Sequence, residues 1–140
     1  LVRRATAVLV AVVALVVSGV AVPAGAAGVV FVRTAVSGGR LAAWPAAIKI
    51  SVHGDLSLHG MRWAGWGGAE ARGHGRAHVK ACVPDCNLGK WESPRVTVTL
   101  ADRIRCDGRV VYGWLGYQLH GEIPEGAKRR GSVDMRPRGC

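Results

Sequence analysis

Residues 95–100 alternate strictly, with Val96, Val98 and Leu100 on one side of the chain and Thr97 and Thr99 on the other. Period-two alternation of this kind belongs to a half-buried strand, because successive side chains on an extended backbone point to opposite faces. Farther on, Asp107-Gly108 precedes a second run, 109–120, rich in Val, Tyr, Trp and Leu. Asp-Gly is favoured in two-residue hairpin turns, which require positive φ at both central positions. The two runs are therefore expected to pair as an antiparallel hairpin. In the second run Val111, Gly113, Leu115, Tyr117 and Leu119 share one face, and Val110, Tyr112, Trp114 and His120 the other. Both faces are partly apolar, which predicts a central strand covered on each side.

The preceding segment reads the same way. Ile48, Ile50 and Val52 alternate with Lys49 and Ser51, and His53-Gly54-Asp55 is expected to turn the chain. A strand is expected over 57–66, with Gly60 marking a bulge, and another over 72–82. Glycine supplies 20 of the 140 residues, about twice the usual share, and helix interiors tolerate it poorly. The expected fold is all-β: a small antiparallel β-sandwich or partly open barrel of five to six strands spanning 46–122, after an N-terminal signal helix. Residues 27–45, with Ser37-Gly38-Gly39, read as a linker holding at most a short strand at 29–32. Residues 123–140 read as a basic C-terminal tail, mobile unless Cys140 ties it down.

The first 26 residues have the layout of a secretory signal. Arg3 and Arg4 precede an unbroken apolar run of 11 residues, 7–17, and Ala24-Gly25-Ala26 supplies the small residues of a cleavage site. A spanning helix needs about 20 apolar residues, so export with cleavage after Ala26 or Ala27 is expected, and the membrane enters only through an uncleaved leader. Removing the leader takes two of the 19 basic residues and none of the 9 acidic ones. The tail concentrates Lys128, Arg129, Arg130, Arg136 and Arg138. Such a tail is ordinarily a solvated end; if it binds, an exported chain meets an anionic envelope polymer or lipid headgroup rather than nucleic acid.

Four cysteines in an exported chain of this size predict disulfides. Pro84 and Asp85 suit a turn between Cys82 and Cys86, so Cys82–Cys86 with Cys106–Cys140 is the expected pairing; the rival joins Cys82 or Cys86 to Cys106. His74, His78, Cys82 and Cys86 recur at intervals of four, yet on a strand residues four apart lie about 13 Å from each other, too far for one zinc ion. No metal or cofactor is expected. Nucleophile-elbow, zinc-protease, phosphate-loop and dinucleotide motifs are missing, and Asp55, Asp85, Asp102 and Asp107 all sit in turn contexts. Among the five tryptophans, Trp63 and Trp66 lie three apart, which on a regular strand turns one inward and one outward; an exposed ring can stack on a sugar.

The order Ile48-x-Ile50, Trp63-x-x-Trp66-Gly67-Gly68, Ala71-x-Gly73-x-Gly75, Cys82-x-Pro84-x-Cys86-x-x-Gly89 and Pro94-x-Val96-x-Val98-x-Leu100 resembles a group of small exported actinobacterial proteins to which no activity is assigned. The resemblance covers residues 45–120 and implies one β-rich domain behind a signal peptide, with no catalytic residue to carry over. The leading expectation is a non-enzymatic exported domain that binds an anionic or polysaccharide component of the cell envelope, through Trp63, Trp66, Lys128, Arg129 and Arg130. The alternatives are a secreted enzyme using His74, His78 or His120 beside an Asp, and a disulfide-stapled structural or inhibitory module recognised by a partner protein.

Overall fold

A computed structural model describes residues 28–51 and 55–140; the expected leader and the expected turn at His53-Gly54 lie outside the described residues. The described chain is all-β, with no helix: β1 (Val30–Arg33), β2 (Leu41–Ala42), β3 (Ala47–Lys49), β4 (Leu56–Ala64), β5 (Ala71–Lys80), β6 (Trp91–Glu92), β7 (Arg95–Cys106), β8 (Arg109–His120) and β9 (Arg130–Asp134). They form one sheet in the order β2-β1-β8-β7-β5-β4-β3, with β6 added beside β5 and β9 beside β8. The sheet curls into a half-barrel. Its ends are laced together by two backbone hydrogen bonds, Lys49 N–H to Thr34 O at 2.9 Å and Val36 N–H to Lys49 O at 3.1 Å.

The expected hairpin is the backbone of this sheet. β7 and β8 stay in register from Arg95↔His120 to Cys106↔Arg109. Asp107 and Gly108 turn with φ of 48° and 74°, the doubly left-handed turn that matches strand twist. β8 is central, as expected: β7 takes one edge, while β1 and β9 divide the other. Its two faces are both used, with Leu115 and Leu119 buried in the core and Tyr112 fully buried beneath the turn that follows β4. There the Tyr112 hydroxyl accepts from Gly67 N–H at 2.9 Å and donates to Gly68 O at 3.0 Å.

The expected bulge lies at Gly60, which has φ +60° and sits where the β4–β5 register shifts. It moves the inward positions of β4 from Leu58 to Met61 and Trp63. Those two large side chains occupy the space that β5 leaves empty, because β5 turns Ala71, Gly73, Gly75 and Ala77 inward.

The strand count and the domain limits differ from the sequence reading. Among the described residues nine strands replace five or six, and β1 runs parallel to β8 rather than antiparallel. The segment read as a linker, 27–45, holds β1 and β2, with Val30 and Val32 buried; four apolar residues are too short a run to show a period. The segment read as a basic tail, 123–140, holds β9 and the fully buried Met135. Its alternation was masked by Gly131, an inward position with no side chain because the Tyr117 phenol lies there, 2.5 Å from where a Cβ would be. Both expected disulfides are present, Cys82–Cys86 and Cys106–Cys140, with Cα–Cα separations of 3.9 and 5.7 Å. The second one joins the last residue to the tip of the β7–β8 hairpin.

The inward glycines give a stability test. A Cβ on Gly73 would stand 2.6 Å from the Trp63 ring and 2.9 Å from Met61 Cε. Valine has the better strand propensity, but overpacking dominates at a buried site. Gly73→Val is expected to lower stability by about 1–3 kcal/mol, read as a lower urea midpoint at unchanged slope.

Candidate functional site

The inward alternation of β5 has an outward counterpart. Where Ala71, Gly73, Gly75, Ala77 and Val79 face the core, Arg72, His74, Arg76, His78 and Lys80 face solvent. Register then aligns these residues with basic and polar positions on neighbouring strands. One row crosses four strands as His59 (β4), Arg76 (β5), Arg95 (β7) and His120 (β8). The next crosses five as Arg62, His74, Thr97, Gln118 and Arg130. Neighbouring strands lie about 4.8 Å apart, so the first row spans roughly 14 Å.

Neither row contains a carboxylate. Among the described residues, Arg62, Arg76, Arg95 and Arg130 form no ion pair; the salt bridges are Arg72–Glu70 at 3.6 Å and Arg136 with Asp102 and Asp134. Arg76 donates to Ser93 O at 2.8 Å, which holds its guanidinium without neutralising it. His120 Nε2 and Thr97 Oγ1 lie 2.9 Å apart, and His59 Nε2 and Ser57 Oγ 2.8 Å apart. Two depressions of about 520 Å³ each lie on this face, one walled by His74, Arg76, Arg95 and His120, the other by Thr97, Trp114 and Arg130.

Aromatic rings flank the rows. Trp91 is half exposed and stacks on His78 at 4.2 Å between ring centres, with the Lys80 ammonium 5.6 Å from its centroid. Trp114, 38% exposed, lies along β8 over Gly116, where a Cβ would collide with the ring. A face with unpaired guanidinium groups between exposed indoles can hold anions and stack on sugar rings.

Of the five residues expected to bind, Arg130 belongs to this face and the others do not. Trp63 and Trp66 do not point opposite ways. β4 ends at Ala64, Gly65 and Gly67 take φ of 67° and 87°, and the turn folds Trp66 back against Trp63, ring centres 5.2 Å apart. Each indole N–H is spent on a backbone carbonyl, Pro45 O at 2.8 Å and Val30 O at 2.9 Å, so the pair caps the core. Arg129 donates to Gly121 O at 3.0 Å, and Lys128 lies exposed on the segment before β9. The histidines offered for an enzyme take other partners: His120 meets Thr97, His78 stacks on Trp91, and among the described residues no imidazole hydrogen-bonds a carboxylate. Cys82 and Cys86 are bonded to each other, which removes the thiolates that the His/Cys spacing would need for zinc.

Sequence reasoning missed Arg62, Arg76 and Arg95. The signal was in the chain, since residues 71–80 alternate small with basic, but the face forms only once the register of separate strands is known.

Of the two groups that titrate away from their ordinary values, Tyr117 is partly buried and Arg136 exposed. Burial, and then the negative charge of Asp55, hold the Tyr117 phenol above its usual 10. The folded chain therefore keeps this proton more tightly than the unfolded one, so the associated stability is present below pH 10 and lost as pH rises through the folded value. The Tyr117 Cζ resonance is expected to titrate above pH 10, with unfolding free energy falling over the same range. Comparison with protein families, with curated proteins and with solved structures finds no match for this chain.

Proposed function

We propose that this protein is an exported, non-enzymatic binding domain whose outer sheet face holds an anionic polysaccharide of the cell envelope. The observation that carries the reading is the direct pairing of Arg76 with Arg95 inside a row that has no carboxylate. Like charges directly opposite on a sheet repel, and an anion laid between them replaces repulsion with attraction. The rows run across strands and so present charge at intervals, which suits a polymer with repeated acidic groups better than a single small anion. Trp91 and Trp114 add flat apolar rings of the kind that stack on sugars.

The chemistry of the cysteines supports an exported location. Two disulfides fit an oxidising environment, and the N-terminal sequence has the layout of an export signal. An exported basic face meets acidic envelope polymers, not nucleic acid.

The test is retention on immobilised polygalacturonate, with uncharged dextran as the control. Retention on the acidic polymer is expected to weaken steeply with added salt, because exposed charges are screened over about 8 Å at physiological ionic strength. The double variant Arg76→Glu/Arg95→Glu is expected to bind at least about tenfold more weakly, while Lys128→Glu, off the face, changes little. Equal retention on dextran, or an unaffected double variant, removes the proposal.

A further inference from the structure

A second concave site lies on the other side of the sheet from the basic rows. At one end of the half-barrel a cavity of about 490 Å³ opens between residues 50–51, β4, β5, β8, β9 and residues 126–128. Ile50, Leu56, Val79 and Leu119 form its apolar walls. A volume of this size suits a small organic molecule, and the mouth of a curled sheet is a common place for one.

The polar side chains of the lining are Ser51, Asp55, Lys80, Tyr117 and Lys128, and Asp55 is the one carboxylate among them. Asp55 Oδ1 is buried and has no hydrogen-bond partner among the described residues. Asp55 and Tyr117 line the same cavity, and the phenol is held above its usual pKa by burial first and by the charge of Asp55 second. The cations nearby do not answer this carboxylate. The Lys80 ammonium lies over the Trp91 ring, and among the described residues Lys128 forms no ion pair.

We propose that this cavity binds a small apolar amine, with its ammonium group on Asp55 Oδ1, the Tyr117 hydroxyl beside it and its hydrocarbon body against Ile50, Leu56, Val79 and Leu119. The carboxylate decides the class of ligand. A fatty acid of the same length would bring a second negative charge next to Asp55 in a poorly screened cavity, and a neutral molecule would leave the buried oxygen unpaired or weakly paired. An ammonium group supplies both the charge and the N–H donors that the oxygen lacks. The positive outer face does not prevent this, because its field is screened by salt over about 8 Å, whereas the carboxylate lies inside the site.

The test of this site uses ligands different from those that probe the polymer face. Hexylamine, hexanol and hexanoate are titrated into the full chain at neutral pH while the methyl resonances are followed by NMR. Hexylamine is expected to shift the methyls of Ile50, Leu56, Val79 and Leu119 saturably, and to bind at least tenfold more tightly than hexanol or hexanoate. Asp55→Asn is expected to abolish that preference. Ala127→Phe, which keeps the carboxylate and narrows the mouth, is expected to suppress the shifts; thermal melting establishes that each variant is folded. Hexanoate binding as tightly as hexylamine, shifts confined to methyls elsewhere, or full binding by Ala127→Phe overturns the proposal.

Discussion

The curl of the sheet depends on how little β5 places inside it. A strand that turns Ala71, Gly73, Gly75 and Ala77 toward the core lets the opposite wall approach closely, and Met61 and Trp63 from β4 fill what is left. The bulge at Gly60 is what brings those two large residues into line, since without it the even positions of β4 would continue to face inward. One strand of small residues, one shifted strand and two large side chains therefore form a single packing unit. The same backbone periodicity that empties the inside of β5 lines its outside with Arg72, His74, Arg76, His78 and Lys80, so the core geometry and the basic face have a common origin.

The C-terminal segment completes the edge that β1 begins. Both lie against β8, and the segment following β9 is tied to the middle of the hairpin: Met135 N–H donates to Gly113 O at 2.8 Å, and the Arg136 guanidinium meets Asp102 at 3.0 Å. Asp102 has φ of 58°, opposite Gly113, which lacks the side chain that would crowd it. Arg33, buried on β1, donates to Arg136 O at 2.8 Å and so links the first strand to the same point. The hydrogen bond to Asp102 holds the Arg136 proton more firmly than usual, but the pair is exposed and screened, so its role is to position the chain rather than to supply stability.

Local signals made much of the fold legible. The β7–β8 hairpin was written in an alternation and an Asp-Gly turn, the bulge in a glycine, and the disulfides in Pro and Asp between two cysteines. β1 was legible only as a short strand at 29–32 within a linker, because its run is too brief to display a period, and β9 was hidden by a glycine at an inward position that Tyr117 fills from another strand. Trp63 and Trp66 misled because a turn, not a strand, connects them. The basic rows were the least legible feature, since Arg76 and Arg95 become neighbours only through pairing between strands joined by a long connection. Sequence adjacency reports a residue's own strand; it carries no register.

That register also links binding to stability. An Arg–Arg pair within a row of histidines and arginines works against the very β5–β7 pairing that creates it, while the buried apolar positions beneath, Val96 and Val98, favour the same pairing. Burial wins in the free protein, because the guanidinium groups are exposed and water weakens their repulsion. A polyanion on the proposed face removes the repulsive part and leaves the apolar part unchanged. It therefore binds the paired sheet in preference to the unfolded chain, where the arginines are scattered, and stabilises the fold by mass action. On that proposal the inner face of β5 supplies the fold and its outer face the stabilisation that a bound polyanion adds.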